Sequence, residues 1–189
     1  MKFFAGFVVA IVVICLGVFV TIMTGVYNIA ATVPHTRFER ILLSTAMRNA
    51  VISRADNDAE NARDEEQVRE GFQEYNEMCI ICHGAPGKEQ TDVSKGLTPN
   101  PPDLAEASRR WNSAQLFWIV KNGVKMTGMP AFGPTHKDDQ IWNIVAFVQR
   151  LPRMSPEAYK AMEEASSESQ SRPSIDHPHP PNEPRARYH

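Results

Sequence analysis

The sequence predicts an all-α chain in which one helical domain is preceded by a membrane-spanning helix and followed by a disordered tail. Three observations carry this. Phe3 to Met23 contains no charged residue, the middle of the chain repeats its apolar residues at helical spacing with almost no strand alternation, and the end is dominated by Ser, Glu and Pro. With 189 residues, 42% of them hydrophobic, there is room for one modest domain plus appendages. A formal net charge of −2 leaves no global basic field, which sets nucleic acid aside as a partner. Neither an internal repeat nor a Gly-rich phosphate loop is present.

Residues 1–33 are expected to form the anchor. At about 1.5 Å per residue the uncharged run reaches roughly 31 Å, enough for a hydrocarbon core of about 30 Å. A secretory signal has a shorter apolar core and a small-residue cleavage site. Here Ile29-Ala30-Ala31 puts a large residue at the first key position, which favours a retained helix. Cys15 lies within the run and reads as a small buried hydrophobe, with Ile14 in place of the small residue that a lipoprotein cleavage box requires. Only Lys2 precedes the span, whereas Arg37, Arg40 and Arg48 follow it, so charge bias alone would keep the rest of the chain inside.

Residues 34–66 read as an amphipathic helix and an acidic linker. After Pro34 and Thr36, the residues Phe38, Ile41, Leu42, Met47 and Val51 recur at helical spacing among Arg37, Arg40, Arg48 and Arg54. Such a stripe either packs on a neighbouring domain or lies at the headgroup surface. Asp56 to Glu66 lacks any large apolar residue and reads as solvated.

The folded domain is expected over 67–165. Asn112 or Ser113 should cap a helix through Val120, with Trp111, Phe117 and Trp118 as core. Asp138 to Leu151 presents a broad apolar face of Ile141, Trp142, Ile144, Val145, Phe147 and Val148, and a short helix should follow over 156–165. Residues 166–189 hold five prolines and almost no apolar residue, so burial cannot offset their ordering entropy. His177, His179 and His189 in this tail suggest no tetrahedral metal cage.

The chemistry is concentrated in Cys79-Ile80-Ile81-Cys82-His83. Three cysteines cannot all pair within one chain, and two thiols one helical turn apart share a face, so both can add to one haem while the next histidine meets its iron. Zinc needs four ligands, and there is no second cysteine pair; His136 stands more than fifty residues away. A thioredoxin-like redox pair needs a βαβ setting, which the pattern does not offer.

Gly71 and Tyr75 stand eight and four residues before the first cysteine, and Gly84 follows the histidine. This segment closely resembles the haem helix of class I cytochromes c, in which the glycine lets the terminal helices cross closely and the aromatic packs at the crossing. Met129-Pro130-Ala131-Phe132-Gly133 is similar to that family's axial-methionine loop. Pro102-Asp103-Leu104 is similar to its proline segment, and Ile144 to Val148 to its C-terminal helix. The resemblance spans about residues 67–152. It implies a cytochrome c-like haem-wrapping domain holding one covalent haem c on Cys79 and Cys82, with His83 and Met129 as axial ligands and the Pro102 carbonyl accepting the second ring N–H of His83. Met126 is the rival ligand, set aside because Pro130 and the Ala-Phe pattern follow Met129.

A closed six-coordinate iron leaves no substrate position, and no Ser-His-Asp or paired-carboxylate set stands elsewhere, so no catalytic residue is expected. The expected function is electron transfer, as a carrier or as a subunit of a larger oxidoreductase complex, with partners of the membrane dehydrogenase or terminal oxidase type and the lipid bilayer. Because haem c is attached outside the cytoplasm, the resemblance implies a bacterial inner-membrane protein, single-pass, with its haem domain on the periplasmic side. That overrules the charge bias. Ala85 to Lys88 and Met126 to Pro130 should border the partner's contact patch, with Lys88, Lys121 and Lys125 as candidate steering charges.

Overall fold

The computed structural model describes residues 2–56 and 64–171, and among them there is no strand. Helix α1 (Lys2–Met23) carries the apolar run, and its large side chains are exposed from Phe3 to Met23. Nothing among the described residues covers it, and it is long and apolar enough to cross a membrane.

Helix α2 (Arg37–Arg54) starts where the sequence places it. The Thr36 hydroxyl accepts from the Glu39 backbone N–H at 3.3 Å, and the Glu39 carboxylate accepts from the Thr36 backbone N–H at 2.7 Å. These reciprocal bonds satisfy donors that the first turn leaves orphaned. The apolar stripe expected on one face is divided between two. Val51 is fully buried and Met47 half-buried, while Phe38, Ile41 and Leu42 stand exposed.

The domain proper starts at α3 (Glu65–Glu74), two residues ahead of Gln67, because the Asp64 side chain caps it by accepting from the Gln67 N–H at 2.8 Å. A π-helical turn (Tyr75–Cys79) runs directly into α4 (Ile80–His83). Short α5 (Asp92–Lys95) and α6 (Leu104–Ala107) follow, then α7 (Ser113–Asn122), α8 (Asp138–Val148) and α9 (Pro156–Ser171). Asn112 caps α7 through a reciprocal pair with Gln115. Helix α2 packs against α7, which seats Val51.

The core forms where α3 crosses α8. Gly71 makes the crossing possible, since a Cβ there would fall 1.9 Å from the Asn143 carbonyl oxygen. Around it Val68, Phe72, Tyr75, Ile144, Val145, Phe147, Val148, Leu151 and Tyr159 form one buried cluster. Its aromatic rings meet edge-on, Phe72 with Phe147 at 5.4 Å and Phe72 with Tyr159 at 5.3 Å. Glu70 accepts from Asn143 at 2.7 Å and Glu74 from Gln140 at 3.1 Å, adding polar contacts along the same crossing.

Helix α9 corrects one boundary. Composition placed the end of this helix at Ala165, but it continues through residues 166–171. Tyr159 explains why the helix docks at all: its ring is 1% exposed and its hydroxyl donates to the Asn76 side chain at 3.0 Å. Residues 172–189, where the tail and its three histidines were expected, lie outside the described residues, as do 57–63 of the acidic linker.

Candidate haem-binding site

The π-helical turn and α4 set out the motif. The Tyr75 hydroxyl, itself buried, donates to the Gly84 carbonyl at 2.6 Å and so ties the beginning of this segment to its end. Gly84 sits at φ +66°, where a Cβ would meet the Lys88 carbonyl oxygen at 2.7 Å, and only glycine fits both demands. Beyond it Ala85 and Lys88 exchange two backbone hydrogen bonds, at 3.0 and 2.8 Å, closing a tight loop.

Between these fixed points stand Cys79, buried, and Cys82, half-buried, both as free thiols. Burial pushes the Cys79 thiol up to about 12, with the neighbouring Cys82 adding to the effect, so it stays protonated at neutral pH. His83 lies with Nδ1 at 2.8 Å from the Pro102 carbonyl oxygen. A carbonyl can only accept, so Nδ1 carries the proton and Nε2 keeps its lone pair. Burial lowers the His83 pKa, and the Pro102 bond opposes this less strongly. The ring therefore rests neutral, which is the state a metal ligand needs.

The second half of the site is the loop between α7 and α8. Gly123, at φ +65°, ends α7 and lets Pro130 fold back on it, since a Cβ there would lie 2.6 Å from the Pro130 carbonyl carbon. Phe132 N–H donates to Val120 O at 3.1 Å and Gly133 N–H to Lys121 O at 2.9 Å, which staples the loop to the helix. Thr127 organises the tip. Its hydroxyl donates to Val124 O at 2.7 Å and accepts from Met129 N–H at 3.1 Å. Met129 is half-buried in this arrangement, whereas Met126 occupies the strained apex at φ +62° with 74% of its surface exposed.

The donor chemistry fits a covalently bound haem. It comprises two unpaired thiols one turn apart, a neutral imidazole with one nitrogen committed and one open, and a thioether on a stapled loop. Zinc finds no counterpart, as no three His, Cys, Asp or Glu side chains converge among the described residues. A groove of about 950 Å³ between α3 and α9, lined by Val68, Phe72, Met154 and Met162, contains none of the four residues.

Sequence reasoning missed the strap that α9 lays over the motif loop. Lys88 pairs with Glu163 and sits 5.6 Å over the Tyr159 ring, while Gly87, at φ +78°, approaches Pro156 so closely that a Cβ would come within 2.8 Å of its ring. The sequence signal was slight, a tyrosine in a polar helix. Lys121 is likewise engaged, its ammonium bonded to both Asp138 carboxylate oxygens at 2.6 and 2.9 Å. Two of the three expected steering lysines thus have local partners, and Lys125 stands exposed beside the Met129 loop.

Parts of the chain are similar to known proteins. The family model described as cytochrome c oxidase, cbb3-type, subunit III matches residues 66–148. The quinohemoprotein alcohol dehydrogenase ADH IIB of Pseudomonas putida is 30% identical over 83 residues, which is 44% of this chain and 11% of that enzyme. The chain therefore spans only a small part of the curated relative it matches. Among solved structures, the reducing HAO-like protein complex of Kuenenia stuttgartiensis aligns with a TM-score of 0.45 and 20% identity, over 51% of this chain and 48% of that one.

Proposed function

Because residues 66–148 are a c-type cytochrome domain whose cofactor is covalent haem c, we propose that this chain is a membrane-tethered electron-transfer protein with one haem and no catalysis of its own. The observation that carries it is the Cys79-Cys82-His83 turn, locked at both ends by Tyr75 and Gly84 and joined by Nδ1 of His83 to Pro102.

When bound, the haem supplies a one-electron iron couple. The chain's residues decide how that couple is held. Cys79 and Cys82 would give the thioether bonds, fixing the cofactor to the same turn that carries His83. Pro102 O holds the proton on Nδ1, so Nε2 of His83 presents its lone pair without tautomer exchange. Met129 would supply a second protein ligand to the iron from its stapled loop, a soft sulfur that would favour the reduced state. With His83 and Met129 both committed to holding the haem, electrons would pass by contact with another redox protein, of the membrane dehydrogenase or terminal oxidase type. Helix α1 is read as a retained anchor in the bacterial inner membrane, with the haem domain on its periplasmic side.

The test is ligand substitution. Met129→Ala should abolish the weak long-wavelength band of iron–methionine ligation in the oxidised protein and open the reduced form to CO, while Met126→Ala should do neither. The reverse pattern would move the axial assignment to Met126, and CO binding by the unaltered protein would overturn the closed-site reading.

A further inference from the structure

Helix α2 has two apolar faces, and only one is covered. Val51 is buried and Met47 and Ala50 are half-buried on the side packed against α7. At about 100° per residue, Phe38, Ile41 and Leu42 fall on the opposite side of the helix. They are 73%, 67% and 55% exposed. Exposed Arg37 and Arg48 share one flank of this face, whereas Arg40 falls on the other side, between Met47 and Val51.

The position of this face relative to α1 is fixed by the chain. Tyr27 stands four residues past Met23, the end of α1, so its backbone lies within roughly 14 Å of that end. The Tyr27 hydroxyl donates to the Glu39 carboxylate, which also caps the first turn of α2. The start of α2 is therefore tied through Tyr27 and Glu39 to the segment that leaves the span. Val26, Tyr27 and Ile29 in the connection are exposed too, making the apolar surface continuous from α1 to Phe38. On the other side, Thr98 of the haem domain donates to the Ala31 carbonyl. The connection is thus docked on the domain at two places, by Thr98 on Ala31 and by α2 on α7.

We propose that α2 is a membrane-surface float: Phe38, Ile41 and Leu42 lie in the headgroup layer of an anionic bilayer, Arg37 and Arg48 meet its phosphates, and the docked opposite face holds the haem domain in one orientation. Continuity with the span and the basic flank select lipid as the occupant. This rests on α1 being a retained anchor.

The experiment separates the two readings by using the thiol that haem attachment leaves free. Haem-loaded full-length protein, reconstituted in vesicles of zwitterionic lipid with an anionic fraction, is spin-labelled at native Cys15, in the middle of α1. A second preparation carries Cys15→Ala with Leu42→Cys, labelled at position 42. Collision with dissolved oxygen against a water-soluble nickel chelate is then read for each label. The expected result is oxygen-dominated collision at both, with position 42 shallower than position 15. In addition, Arg37→Gln and Arg48→Gln combined should shift position 42 outward and remove its dependence on anionic lipid. Nickel-dominated collision at 42 with Cys15 in lipid would overturn the float alone. Shielding of 42 from both reagents would also overturn it, showing that protein covers the face. Cys15 outside lipid would overturn the anchor itself.

Discussion

Replacing Gly71 by alanine tests whether the α3–α8 crossing sets the site. The added Cβ would lie 1.9 Å from Asn143 O, 2.4 Å from Asn143 C and 3.0 Å from Ile144 N, all backbone atoms that no rotamer change can move. Restoring ordinary contact requires the helices to part by about 1.5 Å, and gaps of about 0.5–1 Å already forfeit a quarter to a half of each dispersion well. The cluster that would loosen includes Val68, Phe72, Ile144 and Val148. Loss comparable to one or two large-to-small core substitutions, about 2–5 kcal/mol each, outweighs the gain of about 1 kcal/mol from alanine's helix propensity. A net cost of at least about 1 kcal/mol follows, or a melting shift of at least roughly 4–8 °C for a domain of this size. Gly96 is the matched control, because its φ is −82° and the nearest atom to an added Cβ is Val93 O at 3.5 Å. Gly96→Ala should be neutral or slightly stabilising, by up to about 1 kcal/mol. Thermal unfolding of both haem-loaded variants, followed by circular dichroism in the same detergent, compares them directly. A Gly71→Ala cost below about 1 kcal/mol would refute the crossing argument.

Tyr75→Phe removes the buried donor to Gly84 and leaves a buried carbonyl unpaired, so it should cost about 1–3 kcal/mol in the same melting assay. In the haem-free chain at pH 8, Cys82 should react with iodoacetamide well before Cys79, because Cys79 is 8% exposed and its thiol is held up at about 12. Peptide mass mapping over time reads the order, and equal rates would contradict the burial of Cys79. The same shift has a stability consequence. A thiol protonated in the folded chain but ionising near the ordinary cysteine value of about 8.5 when unfolded favours unfolding as pH rises past that value. Chemical denaturation of the haem-free chain should therefore show stability falling from about pH 8.5 upward, with Cys79→Ser flattening the decline.

Much of this was legible because the signals are local. The haem motif, the Gly71 and Tyr75 spacing and the caps at Thr36 and Asn112 each act within a few residues, where sequence distance and spatial distance coincide. The periodicity of α8 was equally plain, since seven of its eleven residues are buried and the pattern has little room to vary. What escaped depends on long-range pairing. Lys88 reads as a solvent-facing lysine until Glu163, 75 residues later, is placed beside it, and the same holds for Thr98 and Ala31, 67 apart. The π-helical turn was hidden for another reason: it adds one residue to a helical turn without altering composition. In α2 the failure was of resolution. Phe38 and Val51 both fit an apolar stripe, yet thirteen residues at about 100° each leave them about 140° apart on the wheel, and the structure puts one in solvent and one in the core.

That division of α2 changes what kind of tether this is. A flexible leash raises the local concentration of a partner without any new contact, but leaves the carrier free to present every face. Here the connection is docked on the domain through Thr98 and through the Val51 face of α2, so on the proposed reading of α1 as an anchor rotation about the membrane normal would remain while tilt would be restricted. Restriction of that kind benefits transfer only if the partner's own donor or acceptor sits at a fixed height, which is the situation of another membrane-bound redox subunit. The ion pairs agree. With Lys88 bound to Glu163 and Lys121 to Asp138, little unpaired charge of these three remains for long-range steering apart from Lys125. A carrier diffusing in from bulk solution gains on-rate from an exposed field. A domain already oriented beside its partner does not need one, and the pairing of these lysines within the chain is the arrangement expected for a fixed subunit.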